Sequence, residues 1–496
     1  MSVTQAHPLI IQGGMGVGVS DWVLAKAVCL RGQLGVVSGT ALDSLFVRRL
    51  QDGDIGGHMR RAMEHFPIPE VSAEVLRRYF LPEGRPEGTP YKLVPMYKQV
   101  VSKVRNQLTM LANFVEVYLA KEGHDNPVGI NLLTKVQMPN LPSLYGAMLA
   151  GVDYVLMGAG IPKEIPGVLD NLAEHKPASI KLDVEGLERG ETEYLTFDPR
   201  EHWDQLPPPL KRPCFLPIIA SNSLATMLAR KANGRVDGFI IEGPTAGGHN
   251  APPRGDQQYN ERGEPLYGER DVVDLDKMRE LGLPFWVAGG AGAPGRLLEV
   301  LAAGGAGIQV GTLFAYTEES GLTRENKRQV LEQARDGEID VLTDPRASPT
   351  GFPFKVVQLG NSVADEAVYQ ARERVCDLGY LRTAYKEENG RVNYRCPAEP
   401  VDTYVKKKGE VEETVGRKCL CNALMADVGY GQLRSDGEAE KPLLTSGDDL
   451  KNILRFTQGR IEYTAADVLD YLLSGVQELP VHSAVSAASA ERASVG

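Results

Sequence analysis

The chain has little that would suit it to nucleic acid, a membrane or an oxidising compartment. Its 496 residues carry 54 Lys and Arg against 65 Asp and Glu, a formal charge of −11. That balance excludes broad electrostatic binding to nucleic acid or acidic lipid. No apolar run is long enough to span a bilayer, so no membrane partner is expected. The first residues, Met1 to Pro8, lack the charged and apolar regions of a signal peptide. Cysteine is scarce, six in all, and the reading is of reduced thiols in a cytoplasmic protein. Two phosphate motifs are also missing. No G-x-x-x-x-G-K-[S/T] loop occurs, and Gly14-Met15-Gly16-Val17-Gly18 lacks the third glycine spacing of a dinucleotide fingerprint.

What is present is an alternation of short apolar runs with helical patterns. Candidate strands are Leu9–Gln12, Leu34–Ser38, Val128–Leu133, Asp153–Met157, Ala178–Leu182, Leu216–Ala220, Val236–Glu242, Pro284–Ala288 and Ala306–Val310. Such alternation implies a mostly parallel sheet with right-handed crossovers, and a (β/α)8 TIM barrel needs eight strands. Ala178–Leu182 and Leu216–Ala220 compete for the fifth place. The latter is preferred, because Ser221 and a helical pattern from Leu224 follow it directly. After the first strand, Ser20 or Asp21 caps a helix that stops at Gly32.

The expected fold class is therefore α/β, a TIM barrel over residues 1–330 with two interruptions. A helical insertion covers 54–125, where Val101, Val104, Leu108, Leu111, Val115 and Tyr118 form one apolar stripe. An excursion covers 183–213. A mixed, partly helical C-terminal extension follows at 331–476, with helices expected from Ser446 to Phe456 and from Thr464 to Leu473. Residues 477–496 read as a disordered tail.

Small residues recur where the strands end. Gly13-Gly14-Met15 follows the first strand, Asn131 lies in the third, Gly158-Ala159-Gly160 follows the fourth and Ser221 the fifth. Gly247-Gly248 follows the sixth, Gly289-Gly290 the seventh and Gly311-Thr312 the eighth. Together they mark one rim of a barrel, where barrel active sites lie, and the last two pairs suit a phosphate cradle. His249, directly after Gly247-Gly248, is the candidate general acid or base. Arg254 and Lys181 are candidate anion partners. His58, His65, His124, His175 and His202 read as surface histidines, none in a metal-like pair. Cys376, Cys396, Cys419 and Cys421 crowd one segment, 376–421. They are read either as zinc or iron–sulfur ligands or as buried free thiols, since the spacing lacks paired C-x2-C knuckles.

These residues carry a resemblance. Pro8-Leu-Ile-Ile-Gln-Gly-Gly-Met15, Gly129-Ile-Asn131, Glu242 with Ala246-Gly-Gly-His249, Ala288-Gly-Gly290 and Gln309-Val-Gly-Thr312 resemble the nitronate monooxygenase (2-nitropropane dioxygenase) family. That family comprises FMN-dependent barrels related to flavin enoyl-acyl-carrier-protein reductases. Glu319-Ser320 and Lys327 match less sharply. The resemblance spans about Pro8 to Lys327, apart from the two interruptions. It implies FMN as cofactor, with Gly14, Met15 and Asn131 at the ring and Glu242 and Gly248 flanking the ring or ribityl chain. It also implies Gly289, Gly290, Gly311 and Thr312 at the phosphate, and His249 over the flavin. Ser221 and Gly247 join the candidate cofactor set from the same rim. The implied reaction is oxidative denitrification of an alkyl nitronate, with a small-molecule substrate and O2 as partners. An FMN-dependent NAD(P)H reductase of an enoyl thioester or quinone, and a non-enzymatic flavin-binding partner protein, are the alternatives. A homo-oligomer is compatible with the stripe on the insertion. Gly13-Gly14, Pro244-Thr245 and Asn250–Arg254 depart from the family pattern beside the site.

Overall fold

In the computed structural model, which describes residues 7–477, eight parallel strands form one sheet. They are β1 (Ile10–Gln12), β2 (Gly35–Ser38), β3 (Val128–Leu133), β4 (Tyr154–Gly158), β5 (Cys214–Ile219), β6 (Phe239–Glu242), β7 (Phe285–Ala288) and β8 (Gly307–Val310). Each pairs with its sequence neighbour within this set, and β8 pairs with β1. The seam between β1 and β2 is joined by a parallel bridge at Ile11 and Leu34. Beyond that bridge a side chain takes over: Oε1 of Gln12 accepts the Val36 amide at 3.1 Å. The expected TIM barrel is borne out.

The interior is plugged at the amino end. Ile11, Leu34, Val36, Leu156, Leu216, Ile240 and Trp286 fill it as one apolar cluster, and the Trp286 indole donates to Pro8 O at 2.8 Å. A filled barrel of this kind leaves the carboxyl ends of the strands as the place for a ligand.

Cys214–Ile219 takes the fifth position, as preferred from the sequence. Ala178–Leu182 instead pairs antiparallel with Glu193–Phe197 in a separate hairpin. Its alternating exposed and buried residues suit a strand with one face on the core. The first helix, α1 (Trp22–Leu30), is capped by Asp21, which accepts the Val23 and Leu24 amides. Of the apolar stripe, Leu108, Leu111, Val115 and Tyr118 belong to the packed face of α2 (Lys103–Lys121), which meets α1 and α3 (Asn140–Leu149), while Val101 precedes the helix and Val104 is exposed. The helix thus occupies the crossover position between β2 and β3.

The last described helix, Ala465–Gln477, packs against α1 and against α4 (Pro294–Ala302), the helix after β7. It stands in the outer ring between the helices of β7 and β1, where an eighth barrel helix belongs. Glu319 and Lys327 support this arrangement. Glu319 accepts the Ala465 amide at 2.9 Å, and Lys327 donates to Glu318 O and Ser320 O at 3.1 and 2.8 Å. The helix runs past Ser474-Gly475, where the sequence suggested a stop. A Cβ on Gly475 would come within 3.1 Å of the Leu298 side chain, so the small residue serves close packing on α4. The tail expected at 477–496 lies outside the described residues from 478 onward.

Candidate active site

A cavity of ≈ 240 Å³ opens at the carboxyl ends of the strands. The rim candidates converge there. Gly14, Met15, Asn131, Glu242, Gly247, Gly248, His249, Gly289, Gly290, Gly311 and Thr312 all line it. Ser221 does not. Its hydroxyl caps the helix Asn222–Lys231, accepting the Leu224 amide at 3.1 Å. The first glycine loop is held by Ser20, whose hydroxyl accepts the Met15 amide at 2.9 Å and donates to Gly13 O at 2.9 Å.

The backbone of this rim is rich in unspent donors. The amides of Gly289, Gly290 and Gly311 have no protein acceptor among the described residues. Gly289 and Gly290 both have positive φ, 82° and 64°, and successive amides in such turns form anion-binding concavities. The Gln309 side-chain oxygen, also on the cavity wall, is buried without a hydrogen-bond partner. Buried polar atoms are normally satisfied, so these groups point to a polar ligand. The Gly292 amide, by contrast, is taken by the Asp449 carboxylate at 3.0 Å.

Much of the other wall comes from the extension, including Phe354, Tyr380, Leu381, Leu420, Leu424 and Asp427. The segment Thr445–Asp449 is stitched to the rim. Thr445 accepts the Gly248 amide at 2.8 Å, the Gly447 amide donates to Thr312 Oγ1 at 3.0 Å, and the Asp448 amide donates to Thr245 O at 3.0 Å. Lys355 fixes it from outside, with Nζ 2.8 and 2.9 Å from the two Asp448 oxygens.

Four titratable groups at or beside the site are displaced toward their neutral forms. His249 bonds Ser348 Oγ through Nε2 at 2.6 Å and meets Phe354 edge-on at 4.8 Å. Burial, and then the charge of Lys135, lower its pKa to about 3. Lys135, in the loop after β3, has a buried ammonium with no hydrogen-bond partner. Burial lowers its pKa to about 7. Burial also raises the Glu242 carboxyl to about 7. Asp427, in the extension's share of the wall, is pushed up to about 8 by burial, against the pull of the Leu443 amide.

Several sequence candidates lie elsewhere. The Arg254 guanidinium donates to the carbonyls of Ala220 and Arg270 and lines a separate small cavity. Lys181 is exposed on the 178–197 hairpin. Neither reaches the main cavity as an anion partner. His175 and His202 are buried, not surface residues. His175 bonds Tyr145 at 2.8 Å and Pro208 O at 3.0 Å, while His202 stacks on Phe197. Among the described residues no three or more His, Cys, Asp and Glu side chains are arranged to hold a metal ion. No helix among them is long and apolar enough to cross a membrane.

The sequence reading passed over Lys135 and Thr445–Asp449. Lys135 follows β3 at the same rim and was findable by that rule. Ser446-Gly447-Asp448-Asp449 reads locally as a helix cap, which hides its return to the barrel.

The fold is a (β/α)8 barrel whose candidate site lies at the carboxyl rim, with a polar cradle after β7 and β8. Residues 210–346, which include β5 to β8, match the nitronate monooxygenase family model. That match falls largely within the stretch, Pro8 to Lys327, over which the motifs carry the resemblance. No curated protein matches the sequence. Solved structures similar to the chain include FabK from Thermotoga maritima, 16% identical, covering 95% of this chain and 93% of that one with a TM-score of 0.46. The nitroalkane oxidase of Streptomyces ansochromogenes is 16% identical, with 95% and 96% covered and a TM-score of 0.44. The enoyl reductase domain of MlnA from Bacillus amyloliquefaciens is 12% identical, with 95% and 93% covered and a TM-score of 0.46.

Proposed function

We propose that the rim cavity binds FMN and that the protein is a nitronate monooxygenase-type oxidoreductase acting on alkyl nitronates. The observation that carries the cofactor reading is the set of unpartnered amides at Gly289, Gly290 and Gly311 facing one cavity with the orphaned Gln309 oxygen. Gly289, Gly290, Gly311 and Thr312 would hold the phosphate. Gly14, Met15 and Asn131 would flank the ring, with Glu242, Gly247 and Gly248 along the ring or ribityl chain. Bound FMN would supply the electron transfer between a nitronate and O2.

The protein's share is positioning and proton management. His249 is neutral at neutral pH, because its pKa is about 3. Taking a proton from a nitroalkane carbon several units less acidic would be uphill by roughly 1.4 kcal/mol per unit. A preformed nitronate anion needs no such step. Lys135, whose Nζ has no hydrogen-bond partner and lies over the Phe352 ring, is about half charged near pH 7, and that charge favours an anion near His249 by the same electrostatics that lower the histidine. Glu242, half protonated near pH 7, adds little opposing charge.

The test is the spectrum of the purified full-length protein, as isolated and after incubation with FMN, followed by anaerobic mixing. Flavin absorbance that bleaches with an alkyl nitronate supports the reading. Bleaching only by NAD(P)H moves it to a reductase, and a colourless protein that takes up no FMN overturns it.

A further inference from the structure

Four cysteines remote in sequence meet at the base of the extension's wall. Cys396 and Cys419 are buried with Ala398 in one small cluster, and Cys376 and Cys421 pack against it. All four thiols line a single cavity of ≈ 10 Å³, together with Leu378, Leu381 and Arg382. That is space on the scale of one water molecule. In this arrangement the four sulfurs are free, packed thiols.

The thiols are not equivalent. Cys376 is half-buried, and the neighbouring Cys396 thiol and then the Arg382 guanidinium draw its pKa below the ordinary thiol value, against burial and the charges of Glu399 and Asp377. Cys396 is held as a thiol by that same contact and by burial. Burial also keeps Cys419 and Cys421 protonated. A half-buried sulfur packed against the cluster of a fully buried thiol, with both lining one small cavity, is the arrangement of an attacking and a resolving cysteine.

Their place in the fold gives the pair an outlet. Thr383–Lys386 and Val392–Arg395 form an antiparallel hairpin in register Thr383 to Arg395. Cys376 lies before its first strand and Cys396 directly after its second. Between Cys376 and the hairpin run Tyr380 and Leu381, both on the wall of the main cavity. Cys421 and Leu420 line both cavities.

We propose that Cys376 and Cys396 form a peroxide-sensitive dithiol whose oxidation to a disulfide locks the Leu378–Arg382 segment of the cavity wall. The Cys376 thiolate attacks one oxygen of hydrogen peroxide, the O–O bond breaks, and with one proton a water leaves, giving the sulfenic acid. The Cys396 thiol then attacks that sulfur. The S–S bond forms, the S–O bond breaks, and a second water leaves. Two thiols are oxidised and one peroxide is reduced to two waters.

The test uses the reduced full-length protein, given equimolar hydrogen peroxide, alkylated and mapped by mass spectrometry without reductant. The expected product joins the peptides of Cys376 and Cys396, reverts with dithiothreitol, and leaves Cys29 and Cys214 alkylated. In Cys396→Ser the sulfenic acid should persist on Cys376 and react with dimedone. Hydrogen exchange across 378–382 should slow on oxidation of the wild type. Four intact thiols, a different pair, or exchange unchanged by oxidation would overturn the proposal. So would a stoichiometric zinc ion that shields all four cysteines until it is chelated. Wild-type mapping decides the pairing even where a serine variant fails to fold.

Discussion

Nε2 of His249 and Oγ of Ser348 stand 2.6 Å apart, which ties the loop after β6 to the start of the extension. Ser348 also contacts Thr350 Oγ1 at 2.8 Å, so the imidazole is oriented by a fixed hydroxyl network. In the FMN reading, His249→Ala should keep the flavin spectrum and lose at least about tenfold in turnover, because the imidazole positions the substrate. Ser348→Ala should lose less, since the ring keeps its packing on Phe354. Steady-state rates with an alkyl nitronate check both, and unchanged turnover in His249→Ala removes the residue from the mechanism.

The same histidine sets a pH dependence of stability. Its folded pKa, about 3, lies below the ordinary value near 6.5. Between those values the unfolded chain binds the extra proton, so stability rises with pH through this window. The contribution is full above about pH 6.5 and is lost as the pH falls toward 3. His202, lowered to about 4 by burial, acts in the same direction. Thermal unfolding from pH 7 to 4 should show a shallower fall in Tm for His249→Gln than for wild type. An identical slope would mean that the imidazole is charged in the folded protein.

Glu242 and Asp427 work the other way. Burial raises their folded pKa values to about 7 and about 8. The folded state therefore holds protons that the unfolded state releases near pH 4. Their contribution is present at low pH and is lost as the pH rises through 7 to 8. Glu242→Gln, which mimics the protonated carboxyl, should raise Tm relative to wild type above pH 7 and have little effect at pH 5. A lower Tm at pH 8.5 would show that the carboxylate has a stabilising partner.

The barrel was legible because a strand buried on both faces must be a largely apolar run, and β1 to β8 are such runs, with Asn131 and Gln309 as polar residues inside β3 and β8. Boundaries drifted where a polar side chain intervened. β6 was expected from Val236 and starts at Phe239, because Asp237 is spent on the Phe215 amide at 2.8 Å and on Arg212. The rim glycines were legible for the same local reason, one loop per strand end. What pattern could not supply was long-range closure. Thr445 meets Gly248 across 197 residues, and nothing in Ser446-Gly447-Asp448-Asp449 states which loop it will meet. Arg254 and Lys181 failed as anion partners for a related reason. Charge type was read from sequence, but direction is set by Ala220 O and by the outward face of a hairpin.

Asp449 places a carboxylate on the wall of the cavity proposed for a phosphate, held by the Gly292 amide at 3.0 Å. Asp449→Asn keeps an acceptor for that amide and removes the charge. Like-charge repulsion at such range is worth about 1 kcal/mol in a partly solvated site, so FMN affinity should rise roughly fivefold. Flavin fluorescence titration of the apoprotein at two salt concentrations measures it, with the gain shrinking at high salt. Weaker binding in the variant would place the phosphate away from Asp449.

Gly289 offers the sharpest test of the cradle. Its φ is +82°, and a Cβ there would lie 3.0 Å from the Ala246 amide nitrogen and 3.1 Å from Gly243 O. Gly289→Ala should therefore cost about 1–2 kcal/mol for the left-handed backbone alone, with more for the contacts. It should also displace the amides that face the ligand. Gly282 is the matched control: φ is +69°, nothing lies within 4 Å of its Cβ position, and it is not on the cavity wall. Gly282→Ala should lose a similar backbone increment in Tm and keep full FMN affinity, while Gly289→Ala loses at least about tenfold in affinity. Equal FMN affinity in the two variants would locate the phosphate outside the loop after β7.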